Sequence, residues 1–448
     1  MHLTKELFVF ENGENYIIFA PLQRTILEVN PATVSLLKEC GKSGYFPDGE
    51  TKDILEKAGI LSKELPHEKC VSNTAGGAYL PTTVTLFPTS DCNLRCRYCY
   101  ASAGEKKNKL NIRAAKSAID LIINNALKTG KKEISVSFHG GGEPFFGYAW
   151  TLVHEIVGYA QELAAKHSVK AKFFSGSNGV LSMTQLEWIV KNMHSLTISL
   201  DGPPDIHNSQ RPFASGEGSY EYVLRTIKFF EEHKMGYGIR STITSESCGR
   251  LTEIAEHFRS ISSLKKFHLE PLWEVGRCST TKLKSPDYAF FAKMFVEAQK
   301  AVAPYGISLY YSSGDCDKVT DKFCGASRGN FCVTPAGDVT SCYEVNDISD
   351  PRSKLFFFGE YNSEENIYQF DMNRLEYLRA RKVTALSNCS DCFIKYQCAG
   401  DCPAKCATLG DLFDTSANPR CEASRLIALS SLKSRLKPLK GGVHETAG

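Results

Sequence analysis

Cys92-Asn93-Leu94-Arg95-Cys96-Arg97-Tyr98-Cys99 follows closely on the apolar, β-branched run Thr83–Pro88. Three thiols within eight residues, just past a strand-like run, fall on a loop at a strand end. Soft thiolates at such spacing can wrap one metal centre. A four-iron cluster takes four ligands, so three cysteines leave one iron open to an external ligand. A zinc site or three core thiols remain open as readings of the loop alone.

Outward from this loop, between Pro81 and about Gly276, short apolar runs alternate with longer helical patterns. That alternation marks βαβ units around a parallel sheet or barrel. The expected strands are Thr83–Pro88, Glu133–Phe138, Lys172–Gly176, Ser195–Leu200, Tyr237–Thr244 and Lys266–Leu272. Asn111 is placed to cap a helix whose Ile112, Ala115, Ile119, Ile122 and Ala126 share one face, ending at Gly130. Six strands predict an open or partial barrel. Upstream, Leu7–Phe10, Tyr16–Phe19 and Ile26–Val29 read as strands before two short helices, the first with Asn30 as N-cap, Pro31 as its first residue and Gly41 as its stop. A polar, small-residue linker spans Ser72–Tyr79. Beyond about Ser285 one amphipathic helix precedes a region with ten cysteines between Cys316 and Cys421, and Lys433–Lys440 reads as a frayed basic tail.

The 448 residues carry 53 Lys+Arg against 50 Asp+Glu, a formal charge of +3. So mild a balance excludes nucleic acid or an anionic membrane as the main partner and favours a small or peptide-like substrate. The N-terminus lacks the apolar stretch and cleavage site of a secretory signal, and no run reaches the ~18 apolar residues of a membrane span. Seventeen cysteines in such a chain read as metal ligands or redox groups, not as a disulfide framework. A reducing cytoplasm is the expected compartment.

The three-two spacing of Cys92, Cys96 and Cys99 resembles the cluster motif of the radical S-adenosylmethionine (SAM) superfamily. Gly140-Gly141-Gly142-Glu143-Pro144, after the second strand, is similar to that family's glycine-rich motif at the SAM amino group. Ser177-Asn178-Gly179 ends the third strand and Ser199-Leu200-Asp201-Gly202 the fourth. The resemblance implies SAM contacts at Tyr98, Gly141, Gly142, Glu143, Asn178, Ser199, Asp201, Arg211 and Leu269, with Arg211 gripping the SAM carboxylate through paired donors. Asn178 and Asp201 could equally cap loops, and Leu269 could equally be core. These motifs fall at the C-terminal ends of successive strands, where barrel active sites gather.

Further on, Cys324, Cys332 and Cys342 flank an expected hairpin with arms Phe331–Thr334 and Val339–Tyr343 and the turn Pro335-Ala336-Gly337-Asp338. Cys389-x2-Cys392-x5-Cys398-x3-Cys402 and Cys421 complete a pattern that resembles the SPASM extension of radical SAM enzymes. That resemblance implies two auxiliary [4Fe–4S] clusters, one on Cys324, Cys332, Cys342 and Cys402, the other on Cys389, Cys392, Cys398 and Cys421. Cys332 is spaced differently across that family, and Cys406 is an extra thiol. Cys40, Cys70, Cys248 and Cys278 read as buried structural thiols, and Cys316 as a weaker candidate hydrogen donor or ligand.

The implied architecture is α/β. Residues 1–80 form a winged-helix-like α+β peptide-recognition domain, 81–285 a partial (β/α)6 radical SAM barrel, and 286–448 a bridging helix and SPASM domain. The resemblance to maturases of ribosomally made peptides implies reductive SAM cleavage and hydrogen abstraction from a peptide residue. An electron and a proton then leave as a thioether, ether or carbon–carbon crosslink closes. Three [4Fe–4S] clusters, SAM, a leader-bearing precursor peptide and an electron donor such as flavodoxin or ferredoxin are the implied cofactors and partners. Anaerobic sulfatase maturation is the alternative, although those enzymes place an aspartate directly after the cysteine matching Cys342, where this chain has Tyr343 and Glu344. Tyr343 and Glu344 are candidates for a base or redox relay, and peptide epimerisation is a third option.

Overall fold

The computed structural model describes residues 1–64, 77–436 and the backbone of 444–445. Cys70 and most of the Ser72–Tyr79 linker lie outside the described residues, as does the Lys437–Lys440 part of the basic tail; Lys433 and Ser434 end a helix.

Strand β1 (His2–Leu3) pairs antiparallel with β5 (Leu61–Ser62), and β2 (Phe8–Asn12), β3 (Asn15–Ala20) and β4 (Thr25–Val29) form an antiparallel meander. Asn30 accepts the Thr33 amide and Pro31 opens the helix Pro31–Ser43. The helix runs through Gly41 and stops at Gly44, whose φ of 71° and amide bond to the Cys40 carbonyl make the left-handed cap. Glycine inside a helix costs only about 1 kcal/mol, so Gly41 as the stop was a misplacement by three residues. One face of the meander packs Ile18, Ala20, Leu27 and Val29 against that helix. The other buries Ile17, Phe19 and Ile26 against Phe393, Ile394, Ala428 and Leu432. This region therefore rests on the cysteine-rich C-terminal part, with Phe10 edge-on to Phe393 at 4.8 Å and Glu6 paired to Lys395 at 2.7 Å.

The central sheet continues with β6 (Thr83–Leu86), β7 (Glu133–Phe138), β8 (Lys170–Ser177), β9 (Ser195–Ser199), β10 (Tyr237–Ile243), β11 (Lys266–Pro271) and β12 (Ser308–Tyr310), all parallel and paired in chain order. Helices follow the strands, beginning with Ile112–Thr129, capped by Asn111 and closed at Gly130. The parallel run thus has a seventh strand, β12, which at three residues is too short to show periodicity. On its other side β6 pairs in parallel with β13 (Cys332–Val333), and the antiparallel series β14 (Asp338–Thr340), β15 (Phe357–Asn362) and β16 (Ile367–Phe370) completes an eleven-stranded sheet. The predicted hairpin is β13–β14, with Gly337 at φ 96° in its turn. One continuous sheet therefore carries both the α/β part and the start of the cysteine-rich part.

Alternation decides what each strand offers. Val136, Phe138, Ile198, Ile239, Ile243, Phe267 and Leu269 sit in the main core. Their neighbours His139, Ser199, Arg240, His268 and Tyr310 point to the opposite face. The Arg240 charge acts on both His139, at the end of β7, and Tyr310, on β12. In a flat sheet β10 and β7 would lie about 14 Å apart, at ~4.8 Å per strand. The reach of that one charge to both strands fits a sheet curved around this polar face, the lumen of a partial barrel.

Candidate active site

The cysteine loop is held from two sides by arginine forks, Arg277 buried and Arg95 part-buried. Arg95 donates to the carbonyls of Cys92 (2.7 Å) and Leu94 (2.9 Å) through Nη1, and to Gly104 (3.1 Å) through Nη2. Arg277 donates to the carbonyls of Cys96 (2.9 Å) and Ala103 (2.7 Å) and pairs with Glu105 at 3.1 Å. A Cβ on neighbouring Gly276 would meet the Cys99 and Tyr100 carbonyls at 2.4 Å, so only glycine allows this approach. Sequence reasoning passed over Arg277 because nothing local links it to a loop some 180 residues earlier; a lone Gly-Arg carries no signal.

The glycine run is packed with similar closeness. A Cβ on Gly142 would stand 1.9 Å from the Asp91 carbonyl, and the Gly142 and Glu143 amides donate to Thr89 (2.8 Å) and Asp91 (2.9 Å). These glycines thus let the second strand's turn lie directly on the start of the cysteine loop. Glu143 is buried and accepts from Ser177 Oγ (2.8 Å) and the Asn178 amide (2.7 Å). Burial pushes its carboxyl up to about 7, against the lowering effect of those hydrogen bonds. Asn178 Nδ2 in turn donates to Asn93 Oδ1 at 2.8 Å and lies 3.7 Å from Cys92 Sγ.

A second chain of contacts joins the fourth strand's end to the loop. Arg211 Nη1 donates to Tyr98 Oη (2.6 Å), and Tyr98 donates to Asp201 Oδ2 (2.6 Å). Asp201 also accepts from Gln210 (2.9 Å) and the Thr242 amide (3.1 Å). Arg211 is 7% exposed, yet its Nε has no hydrogen-bond partner among the described residues. A buried donor left unpaired costs about 1–3 kcal/mol, which an anionic ligand would recover. Ser199 is part-buried at the end of β9, whereas Leu269 lies wholly within the core.

The donor set suits an iron–sulfur cluster. The Leu94 amide lies 3.4 Å from Cys92 Sγ and the Ala103 amide 3.4 Å from Cys99 Sγ, the kind of contact that tunes cluster thiolates. Burial, then the charges of neighbouring groups, pushes the Cys96 thiol up to about 11, a balance that bound metal inverts. Among the described residues no three metal-binding side chains converge on a single ion.

In the C-terminal part, burial raises the thiols of Cys324, Cys332, Cys342, Cys389, Cys398, Cys402 and Cys421, and the mutual influences then fall into two neighbourhoods. Cys332, Cys342 and Cys402 each feel the charge of Cys324. Cys398 and Cys421 each feel those of Cys389 and Cys392. Cys406 is fully buried and faces Arg381 Nη2 at 3.4 Å. Cys316 lies in the apolar contact under the N-terminal meander, 3.6 Å from the Ala428 carbonyl; it borders a cavity of about 730 Å³ between helices Tyr288–Val302 and Arg420–Ser434. Cys40, Cys248 and Cys278 are buried, and the charge of Cys99 reaches Cys278. Tyr343 stacks on His139 at 4.9 Å and receives Thr85 Oγ1 at 3.4 Å, while Glu344 is ion-paired to Arg352 at 2.5 Å.

Between these neighbourhoods and the strand ends runs a buried charge cluster that composition does not reveal. Glu270 Oε1 meets Arg420 at 2.7 Å and Lys405 at 3.3 Å, its Oε2 meets His268 at 3.0 Å, and Arg420 continues to Asp401 at 2.9 Å.

Residues 86–258 match the family model of the Radical SAM superfamily. The cysteine-type anaerobic sulfatase-maturating enzyme of Clostridium perfringens is 26% identical over 309 residues, covering 63% of this chain and 82% of that one. Native anSMEcpe with bound AdoMet superposes with a TM-score of 0.62 at 18% identity, over 79% of this chain and 97% of that chain. Streptococcus suis SuiB bound to precursor peptide SuiA superposes with a TM-score of 0.54 at 14% identity, over 93% and 99%. The matched family span begins on β6, which leads into the cysteine loop, and ends in the helix after β10; residues 86–258 form a radical SAM domain, and the chain is an enzyme related to maturases that modify peptides or proteins.

Proposed function

We propose that this enzyme is a SPASM-type peptide maturase that installs an intramolecular thioether, ether or carbon–carbon crosslink in a ribosomally made precursor. The observation that carries the reading is the convergence of the cysteine loop, Glu143, Asn178, Asp201 and Arg211 at successive strand ends, open to a lumen wide enough to be lined from seven strands. The seven-stranded run serves as the partial barrel. Cys92, Cys96 and Cys99 would hold a SAM-binding [4Fe–4S] cluster, and the two downstream groups of four cysteines an auxiliary cluster each. When bound, the cluster and SAM supply a carbon radical able to abstract hydrogen.

The chain's own residues do the rest. Arg211, fixed by Tyr98 and Asp201, orients the SAM carboxylate, and Arg95 and Arg277 keep the cysteine loop rigid. The lumen would position the peptide. Burial, with the Arg240 charge, lowers His139 to about 4, so its imidazole is neutral at pH 7 and can accept a proton at a ring nitrogen. Residues 1–80 would hold the leader as an added strand. The match to SuiB bound to its precursor peptide, over 93% of this chain, supports a peptide substrate. An electron donor such as flavodoxin or ferredoxin would act in the cytoplasm; among the described residues no helix is long and apolar enough to cross a membrane.

Sulfatase maturation remains the second reading, favoured by the Clostridium perfringens relative. Anaerobic reconstitution should yield about twelve irons, four per cluster, and SAM-dependent release of 5′-deoxyadenosine. A yield near four irons with stoichiometric zinc would refute the auxiliary clusters. Conversion of a cysteine-containing sulfatase peptide to formylglycine would refute the crosslinking reaction.

A further inference from the structure

Arg240 stands on β10, in register with Ser199 of β9 and His268 of β11. Its alternation with the core residues Ile239 and Ser241 turns it into the lumen, where it is exposed. Among the described residues its guanidinium has no hydrogen bond and no ion pair. Its charge acts on Tyr100 of the cysteine loop, His139 at the end of β7, His268 of β11 and Tyr310 of β12. A cation felt from four elements around a curved sheet stands near the middle of the space they enclose.

The surrounding carboxylates are all committed elsewhere. Glu270 is held by Arg420, Lys405 and His268; Glu344 by Arg352; Asp201 by Tyr98, Gln210 and the Thr242 amide. Of the other charged side chains of this face, Glu133 pairs with Lys172 at 2.8 Å and Lys266 with Asp315 at 3.9 Å, while His139 stacks on Tyr343 and His268 packs on Tyr310 at 4.6 Å. The lumen thus presents one uncompensated, planar, five-donor cation among neutral aromatic and hydroxyl groups. Such a fork matches a carboxylate, and SAM's own carboxylate already has Arg211, with its free Nε.

We propose that Arg240 is a specificity-determining residue that binds a carboxylate of the substrate, so that the peptide entering the lumen carries an aspartate, a glutamate or a free C-terminus beside the modified carbon. The proposal rests on the peptide-maturase reading for its substrate class, but short probes without a leader test it separately. The holoenzyme with SAM would be titrated anaerobically, by calorimetry, with Ac-Gly-Asp-Gly-NH2, Ac-Gly-Gly-Gly-OH and the neutral Ac-Gly-Asn-Gly-NH2. One acidic probe should bind on the order of ten- to a hundred-fold more tightly than the neutral one, as a charge-assisted fork predicts; which acidic probe wins tells side chain from terminus. Arg240→Gln should abolish the discrimination, Arg240→Lys should keep part of it, and SAM affinity and melting temperature should stay as in the wild type. Equal binding of all three probes, discrimination that survives Arg240→Gln, or a matching loss of SAM affinity in that variant would each overturn the assignment. A failed search for a ribosomal precursor would leave these results untouched, since none of the probes needs one.

Discussion

Replacing Arg211 by lysine keeps the positive charge and removes the fork. In the wild type Nη1 is spent on Tyr98 Oη at 2.6 Å, leaving Nε as the buried donor aimed at a ligand. A lysine ammonium can still reach the tyrosine but cannot serve both partners in one plane. The loss is one hydrogen bond to a charged acceptor, about 1.5–3 kcal/mol, which weakens SAM binding roughly 10- to 150-fold. Iron content should change little, because Arg95 and Arg277 clamp the backbone of the cysteine loop, whereas Arg211 reaches it only through the Tyr98 side chain. The assay is equilibrium dialysis of SAM against the reconstituted variant, with iron measured on the same sample. Tyr98→Phe serves as the control, since it loosens the brace while keeping the guanidinium. A SAM affinity within about twofold of wild type, at full iron content, would show that Arg211 only braces Tyr98 and Asp201.

Glu270→Gln should destabilise the chain by about 3 kcal/mol, the lower end for breaking a buried pair, because Arg420 keeps Asp401. Burial alone would raise Glu270, but Arg420, Lys405 and His268 hold it well below the usual carboxylate range; its contribution is therefore full above about pH 5 and is lost as pH falls toward its folded-state value. Denaturant melts of both proteins across that window check this, and parallel curves that never converge at low pH would count against it. Phe393→Ala should cost about 3–5 kcal/mol at the meander contact, seen as faster hydrogen exchange in residues 8–29 while the β6–β11 strands stay protected. Uniform loss of protection in both regions would mean that they unfold as one unit.

Local signals were legible wherever one segment supplies its own partners. Asn30-Pro31 and Asn111 with Gly130 mark helix ends because capping involves residues three or four apart. Six of the seven parallel strands were legible because each is four residues or longer and bounded by turn residues. The seventh, Ser308–Tyr310, and the β15–β16 hairpin were not, being short or of mixed burial. Pairing with a neighbour, and not their own pattern, makes them strands.

The spacing of Cys92, Cys96 and Cys99, the glycine–glutamate turn and the downstream cysteines were determined by the sequence itself, since a cluster ligand set and a close-approach turn are properties of a few consecutive residues. Which surface the N-terminal meander covers, how Arg277 and Glu143 reach the cysteine loop, and where Glu270, Arg420 and Lys405 meet were decided only by the tertiary structure. So was the isolation of Arg240. An arginine in a strand reads as a solvated charge, and only the pairing of β9, β10 and β11 puts it on one face with Ser199 and His268, without an ion pair among the described residues.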